Sequence, residues 1–219
     1  MEPRVIWTRD VATVWHASLQ RDEDELRATL SDAEVKRSLG YRDAADRRRF
    51  VVRRGLLRKV LSLSLDVDPA QIAIESDRSG KPFLSASPGY ISLAFSRDEA
   101  MFGYSARMPI GVDIERIDPE FEYESLLMDH FNRRERGELD QMPASDRRLH
   151  FFRAWTRKEA CAKAVGVGLA RAFDAYDVVG VGVGDQLVEL QDGEMLLISS
   201  LSAPLWYFAA VALALPSGA

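Results

Sequence analysis

The sequence predicts an α+β protein, with helices laid against antiparallel strands. Two long stretches, residues 42–61 and 146–165, carry apolar side chains at helical spacing, while shorter runs at 11–17, 90–95, 100–107, 110–117 and 206–213 read as strands. Gln191-Asp192-Gly193-Glu194 stands between two apolar runs and carries the Asp-Gly pair that closes tight hairpins, which points to antiparallel pairing.

Composition sets the outer limits. A chain of 219 residues has room for one large or two small domains, and apolar and charged fractions of 47% and 29% suit a globular protein that needs no disulfide staple. The net charge of −5 argues against nucleic acid as a partner. No apolar run reaches the ~18–20 residues of a membrane span, and Glu2, Arg4, Arg9 and Asp10 make the N-terminus unlike a signal peptide. The lone cysteine, Cys161, has no internal disulfide partner and falls inside a helix as a small buried residue. The expected setting is a reducing cytoplasm.

In chain order, Val11 to Ala17 alternate as a strand, and Ser31-Asp32-Ala33-Glu34 has capping-box spacing that opens a short helix carrying Lys36 and Arg37. The next helix carries Phe50, Leu57, Val60 and Leu61 as its apolar stripe. From Arg42 to Lys59 it holds eight basic and two acidic residues, a local charge of +6 in an acidic chain. Such a run is either a solvated basic face or an anion site. Arg49 and Arg53, one turn apart, present guanidinium forks suited to a phosphate. After a break at Leu65–Pro69, residues 71–75 suggest a strand and Ser79-Gly80-Lys81-Pro82-Phe83 a turn. Ile91, Leu93 and Phe95 form the buried side of the following strand, which ends at Ser96-Arg97. The runs 100–107 and 110–117 meet at Met108-Pro109 as an expected hairpin. A helix over 121–130 follows, then Asn132-Arg133-Arg134-Glu135 with N-cap and N3 spacing, the long helix 146–165 stopped by Gly166, and strands to the end.

Two clusters carry chemistry. In Gly111-Val112-Asp113-Ile114-Glu115, strand alternation sends Val112 and Ile114 one way and Asp113 and Glu115 the other, ~7 Å apart on one face. Their repulsion is relieved either by solvent and nearby arginines or by a hard divalent cation such as Mg²⁺. In the long helix, Phe152, Trp155, Glu159 and Ala162 share one stripe, so Glu159 lies along the apolar face with Lys163 one turn on. That pair reads either as surface stabilisation worth about 0.3–0.5 kcal/mol or as a third carboxylate beside a base.

Gly-Val-Asp-Ile-Glu at 111–115, Trp155-x-x-Lys158-Glu159-Ala160 some forty residues on, and Gly80-Lys81-Pro82 upstream together resemble the Sfp-type 4′-phosphopantetheinyl transferases, in the Trp-x-x-Lys-Glu-Ala branch. The resemblance covers about residues 30–170. It implies a pseudo-twofold pair of similar α+β halves, 1–109 and 110–219, and a monomer, since the two halves already form the interface that a half-length relative would make between chains. It implies Mg²⁺ on Asp113, Glu115 and Glu159, and catalysis by Glu159, Lys163 and Asp113. Coenzyme A contacts would come from Arg49, Arg53, Lys81, Pro82, Ser96, Arg97, Lys158 and Lys163. The implied partner is an apo acyl or peptidyl carrier protein whose serine receives 4′-phosphopantetheine. Gly166-Val167-Gly168-Leu169 falls where the carrier approaches in that family. Ser96-Arg97 departs from the family's Ser-His, a permanent cation in place of a titratable one. Glu135 has two readings, an acidic neighbour of the site or a helix cap. A Mg²⁺-dependent hydrolase of coenzyme A and a non-catalytic coenzyme A module are the alternative functions.

Overall fold

Each strand buries the face its alternation dictates, and the helices cover what remains. In the computed structural model, which describes residues 2–78, 80–166, 178, 184–190 and 193–216, the chain opens with β1 (Arg4–Arg9) and β2 (Ala12–Ser18). Short helices α1 (Glu23–Arg27) and α2 (Asp32–Leu39) lead to the 22-residue α3 (Ala44–Leu65). A 3₁₀ turn at Pro69–Gln71 precedes a small hairpin of β3 (Ile74–Ser76) and β4 (Pro82–Leu84). Then β5 (Tyr90–Ser96) and β6 (Glu99–Ser105) complete a sheet of order β1-β2-β6-β5. The second sheet starts at β7 (Ile110–Arg116). After α4 (Glu124–His130), α5 (Arg133–Asp140) and the 22-residue α6 (Ala144–Val165), it is closed by β8 (Gln186–Glu189), β9 (Met195–Leu201) and β10 (Tyr207–Ala214) in the order β7-β10-β9-β8.

The two sheets follow one plan. The order β2-β6-β5 in the first matches β7-β10-β9 in the second, and in each the first strand leads through two short helices to a 22-residue helix. The fold is thus an α+β pseudo-twofold pair. Even the charges repeat. Both expected capping boxes form, Ser31 with Glu34 and Asn132 with Glu135. Each cap glutamate then turns inward to a cation of its long helix: Glu34 to Arg58 at 2.5 Å and Arg54 at 3.1 Å, Glu135 to Lys158 at 2.8 Å.

Three apolar cores hold the layers. Trp15, Ala17, Phe102 and Tyr104 on one face of the first sheet meet Val51, Leu56, Val60 and Leu61 of α3. Leu196, Ile198, Ala210 and Ala212 on one face of the second meet Phe151, Ala160 and Ala164 of α6. The opposite faces meet each other, with Val14 and Met101 against Val112, Ile114, Val211 and Leu213. Each fully buried Val, Leu, Ile, Phe or Met side chain among these contributes about 1.5–3 kcal/mol.

The expected hairpin across Met108-Pro109 does not form. β6 is already paired on both edges, to β2 and β5, and β7 pairs with β10, so residues 106–109 carry the chain from one sheet to the other. β7 abuts β5 instead. There the Ser92 hydroxyl accepts from the Val112 amide and the Ser96 hydroxyl from the Arg116 amide, both at 3.0 Å. The expected hairpin near Gly193 is present as the β8–β9 pair, Glu189 opposite Met195, although the turn residues Gln191 and Asp192 lie outside the described residues. Gly168 and Leu169, expected on the carrier side, also lie outside them.

Candidate active site

The site begins with a missing side chain. A Cβ on Gly111 would stand 1.9 Å from the Ala160 carbonyl oxygen and 2.5 Å from the Ala164 amide nitrogen, so only glycine lets α6 rest directly on β7. That contact brings the last two turns of α6 over the face of β7 that bears Asp113 and Glu115. Gly166, at φ +78°, ends the helix one turn later, where a side chain would be strained.

On this face Lys163 Nζ donates to Asp113 Oδ1 at 2.7 Å and to the Val112 carbonyl at 3.2 Å. Asp113 is buried, and its Oδ2 has no hydrogen-bond partner. Glu115 Oε2 accepts from the Ser96 hydroxyl at 3.1 Å. Burial pushes the Asp113 carboxyl up against the pull of Lys163. Burial, then the neighbouring Asp113 charge, raises Glu115 to about 7, and the same two causes raise Glu159. Lys163 is the cation that opposes all three shifts, so three carboxylates share one ammonium and the cluster is short of positive charge.

That deficit tests the expected metal. The donors are all oxygen, and the partnerless Oδ2 of Asp113 is a free ligand position, both of which fit Mg²⁺. Among the described residues no three carboxylate, imidazole or thiol side chains already converge as a ready-made cage. The chemistry of the residues fits the ion, therefore, without a preformed cage.

A groove leads to this cluster. Its far end is a 470 Å³ pocket lined by Arg37, Arg49, Arg53 and Arg54 with Tyr41 and Phe50. A second, 590 Å³ pocket shares Gly80, Pro82, Leu93 and Phe95 with the first and continues to Lys81, Glu159 and Lys163. The arginines are built in by aromatic rings: Arg53 lies 4.3 Å from the Phe95 ring centroid and Arg37 5.1 Å from that of Phe50. Arg53 Nε and Arg54 Nη1 are buried without hydrogen-bond partners. Arg49 is exposed and held at 2.5 Å by Asp46. Arg37 and Arg54 complete the basic wall. Arg54 escaped the sequence reading because nothing distinguished it from its neighbours in the basic run, whereas its spacing of four from Phe50 is the signal that puts it on the same side.

The structure gathers most, but not all, of the expected residues here. Lys81 and Pro82 border the groove, and the Lys81 ammonium reaches across to the Lys163 carbonyl at 3.2 Å, capping the end of α6. Ser96 serves the seam between the sheets and orients Glu115. Arg97 sits at φ +52° in the β5–β6 turn, 3.5 Å from Asp118. It lines a separate 330 Å³ pocket with Glu115, Phe152 and Trp155, and this pocket shares no lining residue with the arginine end of the groove. Lys158 must be withdrawn as a coenzyme A contact. It is wholly buried, paired with Glu135 and 5.1 Å from the Phe131 ring centroid, because the position next to Glu159 on a helix turns ~100° away from it, into the core. Glu135 takes the capping reading, accepting from the Asn132 amide at 2.9 Å, with Lys158 and the Val178 amide as further donors.

The family model described as the 4′-phosphopantetheinyl transferase superfamily matches residues 109–204. The chain is similar to the 4′-phosphopantetheinyl transferase HetI of Nostoc sp., 34% identical over 176 residues, which span 77% of this chain and 74% of that one. It is also similar to a 4′-phosphopantetheinyl transferase of Bacillus subtilis, 26% identical over 197 residues and 89% and 87% of the two chains. With the Bacillus subtilis 4′-phosphopantetheinyl transferase Sfp it shares 23% over 174 residues, 79% and 76% of the two.

Proposed function

The chain belongs to the 4′-phosphopantetheinyl transferase superfamily and is a phosphopantetheinyl transferase; from that premise we propose that it moves 4′-phosphopantetheine from coenzyme A to a serine of an apo acyl or peptidyl carrier protein with the help of Mg²⁺, releasing adenosine 3′,5′-bisphosphate. The observation that carries this reading is the continuous groove, basic and aromatic at one end and lined by Glu159 and Lys163 at the other.

The groove suits an elongated nucleotide. Arg53, with Arg49 and the neighbouring arginines, grips the 3′-phosphate, and the Gly80-Lys81-Pro82 turn borders the adenine. The pyrophosphate then reaches the end lined by Glu159 and Lys163. Asp113, Glu115 and Glu159 would hold Mg²⁺, which when bound supplies positive charge against the pyrophosphate. Glu159, whose carboxyl is pushed up by burial and then by the Asp113 charge, takes the proton of the carrier serine. The serine oxygen forms its bond to the phosphorus that bears pantetheine, and the bond from that phosphorus to the bridging oxygen breaks, leaving on the bisphosphate. Lys163, whose long flexible stem lines the groove, holds the transferring phosphate. Residues 1–109 thus act mainly on the nucleotide and 110–219 on the chemistry, in a monomer working in the cytoplasm.

The test is the intact mass of an apo carrier protein incubated with this protein, coenzyme A and Mg²⁺, beside a chelated control. A gain of one phosphopantetheinyl group that vanishes on chelation is expected. Coenzyme A breakdown without any mass gain would replace transfer by hydrolysis.

A further inference from the structure

Lys158 and Glu135 are not among the residues that line the groove, yet they adjoin one that does, Glu159. Both side chains are fully buried, and Glu135 is fixed from three directions: by Lys158 Nζ at 2.8 Å, by the Asn132 amide and by the Val178 amide. Lys158 immediately precedes Glu159, so whatever pins Lys158 also pins the rotation of α6 about its axis and the direction in which Glu159 leaves it. The first half repeats the device at the same place in its own 22-residue helix. There Arg58 meets Glu34, and the residue after it, Lys59, lies on the outer surface with its ammonium 3.0 Å from Glu2. A charge pair in an apolar core is seldom the most stabilising choice, since well-packed hydrophobic residues of similar volume do as well or better. What it provides is one orientation.

We propose that the buried Lys158–Glu135 pair is a positioning device for Glu159, fixing the rotation of α6 so that the carboxylate points into the groove beside Asp113 and Lys163. The inference rests on the transferase reading for its consequence in rate, though not for its geometry. Misplacing a catalytic group by about 1 Å costs rate by up to about 100-fold, so the pair acts on turnover rather than on nucleotide binding.

Two variants test it. The apolar double variant K158M/E135L removes the charges and keeps the volume; it is expected to melt lower than the parent, because the Asn132 and Val178 amides lose their acceptor, and in the folded protein kcat drops at least about tenfold while KM for coenzyme A stays within about twofold. Glu135→Asp keeps both charges and draws the acceptor back by one methylene; it covers the case in which the double variant does not fold, and a loss in kcat at constant KM is again expected. Mn²⁺ binding alone, followed by electron paramagnetic resonance, separates this inference from the function it rests on. If the parent transfers nothing to any carrier but its Mn²⁺ affinity falls in Glu135→Asp, the transferase reading fails and the positioning role stands. Unchanged kcat and unchanged Mn²⁺ affinity in a folded variant would overturn the role of the pair.

Discussion

Lys163 Nζ stands 2.7 Å from Asp113 Oδ1, so the residue expected to hold phosphate also neutralises a carboxylate. The ammonium holds Oδ1 and leaves Oδ2 without a partner, so a divalent cation bound there would share the carboxylate's charge with it. Replacing Lys163 by methionine should therefore remove transfer and also destabilise the fold, by about 1.5–3 kcal/mol for a lost charge-assisted hydrogen bond. Adding Asp113→Asn should restore the melting temperature and leave transfer absent. Thermal unfolding beside carrier mass measurement would show the split, and a double variant that stays both unstable and active would contradict it.

Arg53 and Arg49 should not count equally. Arg53 is half-buried on Phe95 with a partnerless Nε, whereas Arg49 is exposed and already occupied by Asp46. Arg53→Ala is expected to raise KM for coenzyme A by about tenfold or more and Arg49→Ala by only a few-fold. With 3′-dephospho-coenzyme A as donor both penalties should shrink. Penalties of the same size on the two donors would mean that this wall does not read the 3′-phosphate.

Gly111→Ala inserts a methyl group where the α6 backbone already lies. No rotamer change relieves a clash with a carbonyl oxygen and an amide, so the helix must lift. A stability loss of about 1–3 kcal/mol is expected, together with a fall in kcat larger than that loss alone explains, because Glu159 and Lys163 ride on the displaced turns. Urea unfolding and steady-state kinetics on one preparation would measure both.

Cys161 offers a check on burial that is independent of activity. Desolvation pushes its thiol up to about 12, so the thiolate is scarce in the folded protein at any pH below that, while in the unfolded chain it forms near the ordinary thiol value. Iodoacetamide at pH 8 should leave the native protein unmodified and label it fully in denaturant. Rapid native labelling would show that α6 opens on the timescale of the reaction.

The chemistry of the site was more legible in the sequence than its setting. Asp113 and Glu115 stood out because the period-two pattern of a strand leaves little freedom in where alternate side chains go, and the Glu159–Lys163 spacing works the same way on a helix. Lys158 misled for the converse reason. A lysine next to a catalytic-looking glutamate reads as a site cation until a partner twenty-odd residues away, Glu135, is known to follow it into the core. The crossover at 106–109 misled because two strand-like runs around a proline look like a hairpin, and only the prior pairing of β6 on both its edges excludes that. Strand β1 and helix α1 were not anticipated: Arg4–Arg9 has its apolar residues in the middle of a charged hexamer, and Glu23–Arg27 contributes a single buried side chain, Leu26. Ser92 carried no pattern at all and Ser96 stood out only through the resemblance, as a coenzyme A contact, since a hydroxyl that accepts an amide from another sheet leaves no trace in spacing.

The short connection at 106–109 contributes no sheet pairing between the halves it joins; Val14, Met101, Val112, Ile114 and Val211 do the joining through their shared apolar layer. Its energetic role is then to raise the local concentration of one half around the other, as a tether does for two modules that bind each other. Nicking the backbone there should convert folding into a bimolecular association, with stability that depends on protein concentration while the assembled pair still closes the same groove.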